Sequence, residues 1–399
     1  MKRPGKIQSI LLDYWEEYSQ KHIVRTTEHL NVMKVLACRT PLLGKHVYKC
    51  NNCDYEIEVS HSCKSRFCSV CGVIATENWI AERFNILLDC GYHHVVVTVP
   101  AVFRYMIKMY RTDSLNLFSK CVADTIFRWA KQKGFEPGMV SFYHSFGSNL
   151  QFHPHFHFLV TAGGLTNFGK WKNHYSKMPP NILGDIFKAK FSAGIKNILR
   201  SKLKEKSTKN KKHNNKIYKA IYQTKTAFEK HWQFFTEAIT RKGDYTMLYC
   251  VRYVKKMIIS EKRIYSYDKQ NKTVTFLSGK KEVLVYNVMK FIKCIVQHIP
   301  EKNFKHIKYY GLYANKSKKK YQIAKRYFKP FHQHGNKLTW KMRQFCRDGV
   351  DPFRCPICKT KMELKTIVYP LKSMYRMRLI DMLSIYDIAI QTKIKFDYG

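Results

Sequence analysis

The clearest hydrophobic pattern in the chain has a period of two and covers 152–160, which reads FHPHFHFLV. Successive side chains of an extended strand point to opposite faces. We therefore predict a strand with His153, His155 and His157 on one face and phenylalanine rings on the other. Imidazole is the side chain that most often binds metals, so this face predicts a divalent-cation site. A half-buried strand whose histidines contact only water or a carboxylate is the alternative.

Similar patterns elsewhere predict an antiparallel sheet with helices on one face, an α+β fold. Apolar runs over 93–99 and 139–146 predict two further strands, and helical spacing predicts helices over 76–88 and 114–133. Two short helices are expected within 1–37. The run over 93–99, closed by Pro100, is expected to be a central strand.

The second half of the chain is less regular. A hairpin is predicted over 263–276, a helix over 284–299 and a strand over 306–313. The lysine-rich segment 202–219 predicts a solvated basic loop, with helical spacing from 217 to 241.

Composition indicates a polyanionic partner. The 399 residues include 72 Lys and Arg against 28 Asp and Glu, a formal charge of +44, and nucleic acid is the first candidate. We find no apolar run of about 18 residues that would span a bilayer. The apolar residues of 7–18 are interrupted by acidic ones, which excludes a signal peptide there. We therefore expect a cytoplasmic protein with no membrane partner.

Cysteine spacing predicts a structural zinc ion. The knuckles Cys50-x-x-Cys53 and Cys68-x-x-Cys71 are separated by fourteen residues, close to the spacing that presents four thiolates to zinc. In a reducing compartment, clustered cysteines are better explained as metal ligands than as disulfides. We predict that these four cysteines bind one Zn²⁺.

Other cysteines remain unassigned. Cys38 and Cys63 either replace a knuckle ligand or help to bind a second ion. Cys355 and Cys358 form a lone knuckle, and one hypothesis is that it completes a zinc site with ligands elsewhere, either Cys346 or the spare N-terminal cysteines.

A pair of tyrosines stands in a basic segment. Tyr249 and Tyr253 are four positions apart, which places them on one face if the segment is helical. Arg252, Lys255 and Lys256 surround them with positive charge suited to DNA. Packing in a protein core is the alternative role for tyrosines at this spacing.

Taken together, these motifs resemble the insertion-sequence ninety-one family of transposases, HUH-type enzymes that move DNA by a rolling-circle route. The order of the motifs is more specific than any one of them. The motifs are Cys38-Arg39-Thr40 with Leu43-Gly44, Cys50-x-x-Cys53, Ser62-Cys63-x-x-Arg66-x-Cys68-x-x-Cys71, His153-Pro154-His155-Phe156-His157, Tyr249-x-x-Arg252-Tyr253, Tyr309-Tyr310-Gly311-Leu312 and Cys355-Pro356-x-Cys358. Ser69 stands where the family usually has proline.

The resemblance implies roles for the histidines and tyrosines. His155 and His157 are implied to bind a catalytic Mg²⁺ or Mn²⁺, and Tyr249 and Tyr253 to be nucleophiles that cleave and rejoin single-stranded DNA through 5′-phosphotyrosine. His153 only assists. A third ligand is expected to be a Glu, Gln or Asp brought near by the fold.

The resemblance implies three domains, each formed by one continuous segment of the chain. Residues 1–75 form a helical, zinc-binding module that recognises DNA, 76–330 an HUH endonuclease-like domain and 331–399 a C-terminal region. The enzyme acts on transposon ends and target DNA at the nucleoid. An HUH replication initiator and a non-enzymatic zinc-ribbon DNA-binding regulator are the alternative functions, and the regulator predicts salt-sensitive binding without cleavage. The oligomeric state stays open.

Overall fold

The computed structural model describes residues 5–205, 211–229, 232–237, 246, 248, 250, 254, 257–331, 339–349 and 351–369. The chain divides into two compact units. The first unit is built from 1–82, 255–299 and 334–399, and the second from 83–254 and 300–333. This division differs from the linear domains expected from the sequence, because segments far apart along the chain pair in the first unit.

The helices and strands are numbered in chain order. The helices are α1 (Lys6–Lys21), α2 (Thr26–Leu36), α3 (Cys71–Arg83), α4 (Ala101–Met109), α5 (Arg111–Gln132), α6 (Pro180–Glu205), α7 (Lys211–Phe228), α8 (Val288–Val296), α9 (Lys318–Ala324) and α10 (Trp340–Asp348). The strands are β1 (Lys45–Cys50), β2 (Glu56–Ser60), β3 (Tyr92–Thr98), β4 (Gly138–Phe146), β5 (Phe152–Thr161), β6 (Gly163–Leu165), β7 (Trp171–Asn173), β8 (Gln233–Thr236), β9 (Ile264–Asp268), β10 (Thr273–Leu277), β11 (Val283–Asn287), β12 (Ile307–Gly311) and β13 (Met362–Val368).

The described strands of the first unit form two small antiparallel sheets, in the orders β13-β1-β2 and β11-β10-β9. The hairpin expected over 263–276 is confirmed by the pairing of β9 with β10. The helix expected from 284 was wrong at its start, because 283–287 pairs with β10 as a strand. The Asn287 side chain then accepts a hydrogen bond from the Met289 amide and starts α8.

A five-stranded antiparallel sheet, ordered β12-β4-β5-β3-β8, is the centre of the second unit. Its apolar face buries Val95, Val97, Phe156 and Phe158 in one core with residues of α4 to α7. The Phe156 ring packs at 4.9 Å from that of Phe118 on α5. The predicted α+β fold is confirmed. The opposite face of the sheet carries the histidines.

The expectation of a basic loop was wrong wherever the segment is described. Helix α6 continues to Glu205 and α7 begins at Lys211. Lysine favours helix, and the buried residues Leu199 and Ile217 attach both helices to the core. The helical pattern beyond 217 ends at Phe228, and β8 follows as an edge strand paired with β3. None of the helices among the described residues is long and apolar enough to cross a bilayer.

Candidate functional site

Strand register creates a histidine cluster on the open face of the five-stranded sheet. His155 and His157 lie on β5, and His144 on β4 is the direct cross-strand partner of His155. The three residues share a face because partners across an antiparallel ladder point the same way. Phe156, between the two β5 histidines, is 1% exposed and anchors the strand from the core side. Rigid strands therefore position all three rings.

The three rings are close enough to share one cation. His144, His155 and His157 each offer a ligand atom, and these atoms lie within 4.8 Å of one another. Ring centroids are 4.3 Å apart for His144 and His157, 5.1 Å for His155 and His157, and 5.2 Å for His144 and His155. The His153 side chain is not a member of this group. The described geometry thus brings the two predicted ligands together and adds His144.

Hydrogen bonds select the tautomers of two of these rings. Nδ1 of His155 lies 2.8 Å from the carbonyl oxygen of His153, and Nε2 of His144 lies 3.0 Å from the carbonyl oxygen of Cys250. A carbonyl only accepts hydrogen bonds, so each of these nitrogens carries the proton. The other nitrogen of each neutral ring is unprotonated, as a metal ligand must be.

Burial keeps the cluster neutral. It lowers the pKa of His144 to about 3, aided by the nearby His155, and lowers the pKa of His155 to about 4. Burial also lowers the pKa of His157 well below its ordinary range. An imidazole binds a cation only when it is neutral, so the site is ready for a metal at neutral and weakly acidic pH.

His157 is also contacted by His94 on β3, which is itself contacted by Glu237. Nε2 of His94 lies 2.8 Å from Nδ1 of His157, and Nδ1 of His94 lies 3.0 Å from a carboxylate oxygen of Glu237. Carboxylates that support metal-binding histidines in this way fix ring orientation. Sequence reasoning missed His144, His94 and Glu237. The available signal was a histidine in each neighbouring predicted strand, but strand register is not readable from the sequence.

The predicted tyrosines fall outside the described residues. The same is true of the cationic residues expected to bind DNA beside them. These residues are Tyr249, Tyr253, Arg252, Lys255 and Lys256. Cys250, which follows Tyr249 in the sequence, is described, and it is 1% exposed. Its carbonyl receives the hydrogen bond from His144, and its sulfur lies 4.0 Å from Nε2 of His94.

The cysteines form two tetrads that differ from the expected grouping. Cys68 and Cys71 come together with Cys38 and Cys63. In this first tetrad the Sγ–Sγ distances are 3.7 Å for Cys38 and Cys71, 3.7 Å for Cys63 and Cys71, and 3.8 Å for Cys38 and Cys68. Zn–S bonds of about 2.3 Å in a tetrahedron separate sulfur atoms by about 3.8 Å. The tetrad therefore fits zinc, with the two surplus cysteines as ligands.

The other knuckle of the expected site lies elsewhere. Cys50 and Cys53 meet Cys355 and Cys358, and the four do not share a group with Cys68 or Cys71. Sulfur atoms are 3.4 Å apart for Cys50 and Cys358 and 3.4 Å apart for Cys53 and Cys355. A hydrogen bond with the Thr360 hydroxyl is the main cause that lowers the pKa of Cys358 to about 5.

Comparison with known proteins gives consistent matches. A family model described as a putative transposase matches residues 138–320, and one described as a transposase zinc-binding domain matches residues 10–99. The chain is 28% identical over 370 residues to the transposase for insertion sequence element IS801 of Pseudomonas savastanoi pv. phaseolicola, covering 87% of this chain and 86% of that relative. It is 26% identical to the putative transposase y4qJ of Sinorhizobium fredii, covering 79% and 82% of the two chains. No solved structure gives a significant match.

Proposed function

Because the chain belongs to the insertion-sequence ninety-one family of transposases, we propose that it cleaves and rejoins single-stranded DNA by a rolling-circle route. The reaction uses a divalent cation and passes through 5′-phosphotyrosine. The observation that carries the proposal is the cluster of His144, His155 and His157, whose ligand atoms lie within 4.8 Å of one another. In a phosphodiester nuclease, a cation held beside the nucleophile lowers the barrier to attack on phosphorus.

In this proposal the cation is Mg²⁺ or Mn²⁺ and the three neutral imidazoles hold it. When bound, the ion polarises the scissile phosphate and stabilises the negative charge that builds up there. His144 takes the place of the Glu, Gln or Asp expected as third ligand. Mg²⁺ prefers oxygen ligands and keeps its waters, so a set of imidazole nitrogens favours Mn²⁺.

Tyr249 and Tyr253 are the proposed nucleophiles. Support comes from Cys250, because the residue next to Tyr249 contacts both His144 and His94. The phenolate oxygen attacks phosphorus, the bond to the 3′ oxygen breaks, and that oxygen takes a proton to become a 3′-hydroxyl. A free phenol has a pKa of about 10, so positive charge such as that of Arg252 is needed to favour the phenolate.

Two tyrosines suit strand transfer. One phosphotyrosine holds a cut end while the other tyrosine makes a second cut. Each covalent bond keeps the energy of the phosphodiester, so rejoining needs no nucleotide cofactor. We assign contact with the DNA backbone to Arg252, Lys255 and Lys256, consistent with the formal charge of +44. The zinc-binding segments are assigned the recognition of transposon ends.

The test is a cleavage assay on labelled single-stranded oligonucleotides that carry the element's ends, with Mn²⁺, Mg²⁺ or a chelator. Wild-type protein is expected to cut with metal and to carry the label covalently. The Tyr249→Phe, Tyr253→Phe double variant and the His155→Ala variant are expected to form no adduct. His153→Ala, a change on the same strand outside the group of three, should reduce cleavage less than His155→Ala does.

Salt-sensitive binding without any cut or adduct, whichever metal is added, would contradict the proposal. That outcome favours a zinc-containing DNA-binding protein that is not an enzyme. Cleavage that persists in the double tyrosine variant would instead assign the nucleophile to another group.

A further inference from the structure

The two knuckles of the second tetrad have the same backbone design although 302 positions separate Cys53 from Cys355. In the first, the Cys50 amide donates to the Tyr55 carbonyl at 2.9 Å and the Asp54 amide donates to the Cys50 carbonyl at 3.0 Å. In the second, the Cys355 amide donates to the Thr360 carbonyl at 2.9 Å and the Lys359 amide donates to the Cys355 carbonyl at 3.1 Å. Each knuckle is therefore a closed turn with its two thiols on one side.

Backbone conformation repeats in the same way. The residue after the second cysteine of each knuckle has a positive φ, 58° at Asp54 and 63° at Lys359. This left-handed region is uncommon for residues with a side chain. Both turns adopt this left-handed conformation at the same position relative to their cysteines. We infer that the conformation is needed to direct the four sulfur atoms toward one another.

Strand pairing brings the turns face to face. β1 ends at Cys50, whose cross-strand partner is Met362 at the start of β13. Tyr48 and Met362 are buried in a small core around the tetrad, and Cys50 and Cys355 are both 0% exposed. The paired ends of β1 and β13 therefore lie next to the four sulfur atoms.

The distances between sulfur atoms distinguish zinc binding from disulfide bonding. Cys53 lies 3.6 Å from Cys358, and the two shortest pairs are 3.4 Å apart. Disulfide sulfurs lie about 2.05 Å apart, so no disulfide links these pairs. The separations are close to the value of about 3.8 Å for four thiolates around zinc. The first tetrad has similar sulfur–sulfur separations, 3.7 and 3.8 Å.

We propose that Cys50, Cys53, Cys355 and Cys358 bind a second zinc ion, which fastens the C-terminal strand β13 to the N-terminal strand β1. The matched zinc-binding model ends at residue 99 and so contains only half of these ligands. The unit then holds two zinc ions, one formed within 38–71 and one that joins distant parts of the chain. Four-thiolate sites of this closed type are structural and leave no position for a substrate.

The test is to measure the zinc content of the 399-residue chain by native mass spectrometry and elemental analysis. The Cys355→Ser, Cys358→Ser double variant is expected to hold one Zn²⁺ fewer per chain than the wild type, a difference that zinc in the histidine cluster does not change. The Cys38→Ser, Cys63→Ser double variant should lose the other ion. Cys121→Ser, a substitution of a buried cysteine of α5 outside both tetrads, is the matched control and should keep the zinc content of the wild type.

A second measurement on the wild type removes dependence on how the variants fold. Titration of the native protein with a thiol-specific mercurial should release two equivalents of zinc as eight thiolates react. A strong chelator should increase amide exchange in β13 while the five-stranded sheet stays protected. A zinc content of the Cys355→Ser, Cys358→Ser variant equal to that of the wild type would overturn the proposal.

Discussion

Nε2 of His94 lies 2.8 Å from Nδ1 of His157, and the far side of the His94 ring faces the Glu237 carboxylate at 3.0 Å. This contact joins β3 to the candidate metal site on β5. Since a ring held through Nδ1 is fixed in orientation, His94 acts as a positioning residue for His157. The arrangement gives the buried histidine pair hydrogen-bond partners within the sheet.

Loss of this support should weaken metal binding. We expect His94→Ala to reduce Mn²⁺ affinity by about 10–100-fold, the usual effect of removing an outer-shell partner. Glu237→Gln should cause a smaller loss, because an amide still accepts a hydrogen bond. Mn²⁺ titration monitored by electron paramagnetic resonance gives the affinity. The exposed Glu229 offers a matched Glu229→Gln control, and an effect of that control equal to Glu237→Gln would contradict the positioning role.

Replacement of the third imidazole should change metal preference. In His144→Glu an oxygen ligand faces the cation in place of a nitrogen, so we expect the ratio of Mg²⁺-supported to Mn²⁺-supported cleavage to rise. His144→Ala should lose binding of both ions. Cleavage rates with each ion, measured on the same single-stranded substrate, provide the test. A His144→Ala variant with wild-type Mn²⁺ affinity would exclude His144 from the ligand set.

The lowered histidine pKa values predict an unusual pH profile. A group whose pKa falls from about 6.5 to about 4 stays neutral, and able to bind metal, as pH drops through 6 and 5. We therefore expect Mn²⁺ affinity to be nearly constant from pH 7.5 to 5.5 and to fall only as pH approaches about 4. Mn²⁺ titrations over this range measure it, with zinc content followed in parallel. A tenfold loss between pH 7 and 6 would show that the histidines titrate normally.

The phenylalanine between the metal-site histidines should be important for stability. Phe156→Ala would leave a cavity beside Phe118, at a site only 1% exposed, and we expect a cost of about 3–5 kcal/mol in unfolding free energy. Phe168, which is 91% exposed, provides the control, and its change to alanine should cost less than about 0.5 kcal/mol. Thermal and denaturant unfolding of both variants distinguish them. Equal stability would mean that β5 does not depend on the core.

Local patterns were sufficient for several elements and for two of the three histidines of the cluster. Alternation along 152–160 predicted that His155 and His157 share a face, and β5 confirms the strand, because a period of two is a property of the strand itself. Helix start sites were less predictable. The segment from 284 has apolar spacing that suits either element, and pairing with β10 decided for a strand up to Asn287.

Tertiary structure decided which groups meet. His144 joins His155 only through the register of β4 on β5, and His94 joins His157 only through the register of β3. The sequence by itself identified each cysteine knuckle, since a C-x-x-C turn is local. Their grouping depends on the pairing of β1 with β13, more than 300 positions away, and no local pattern contains that information.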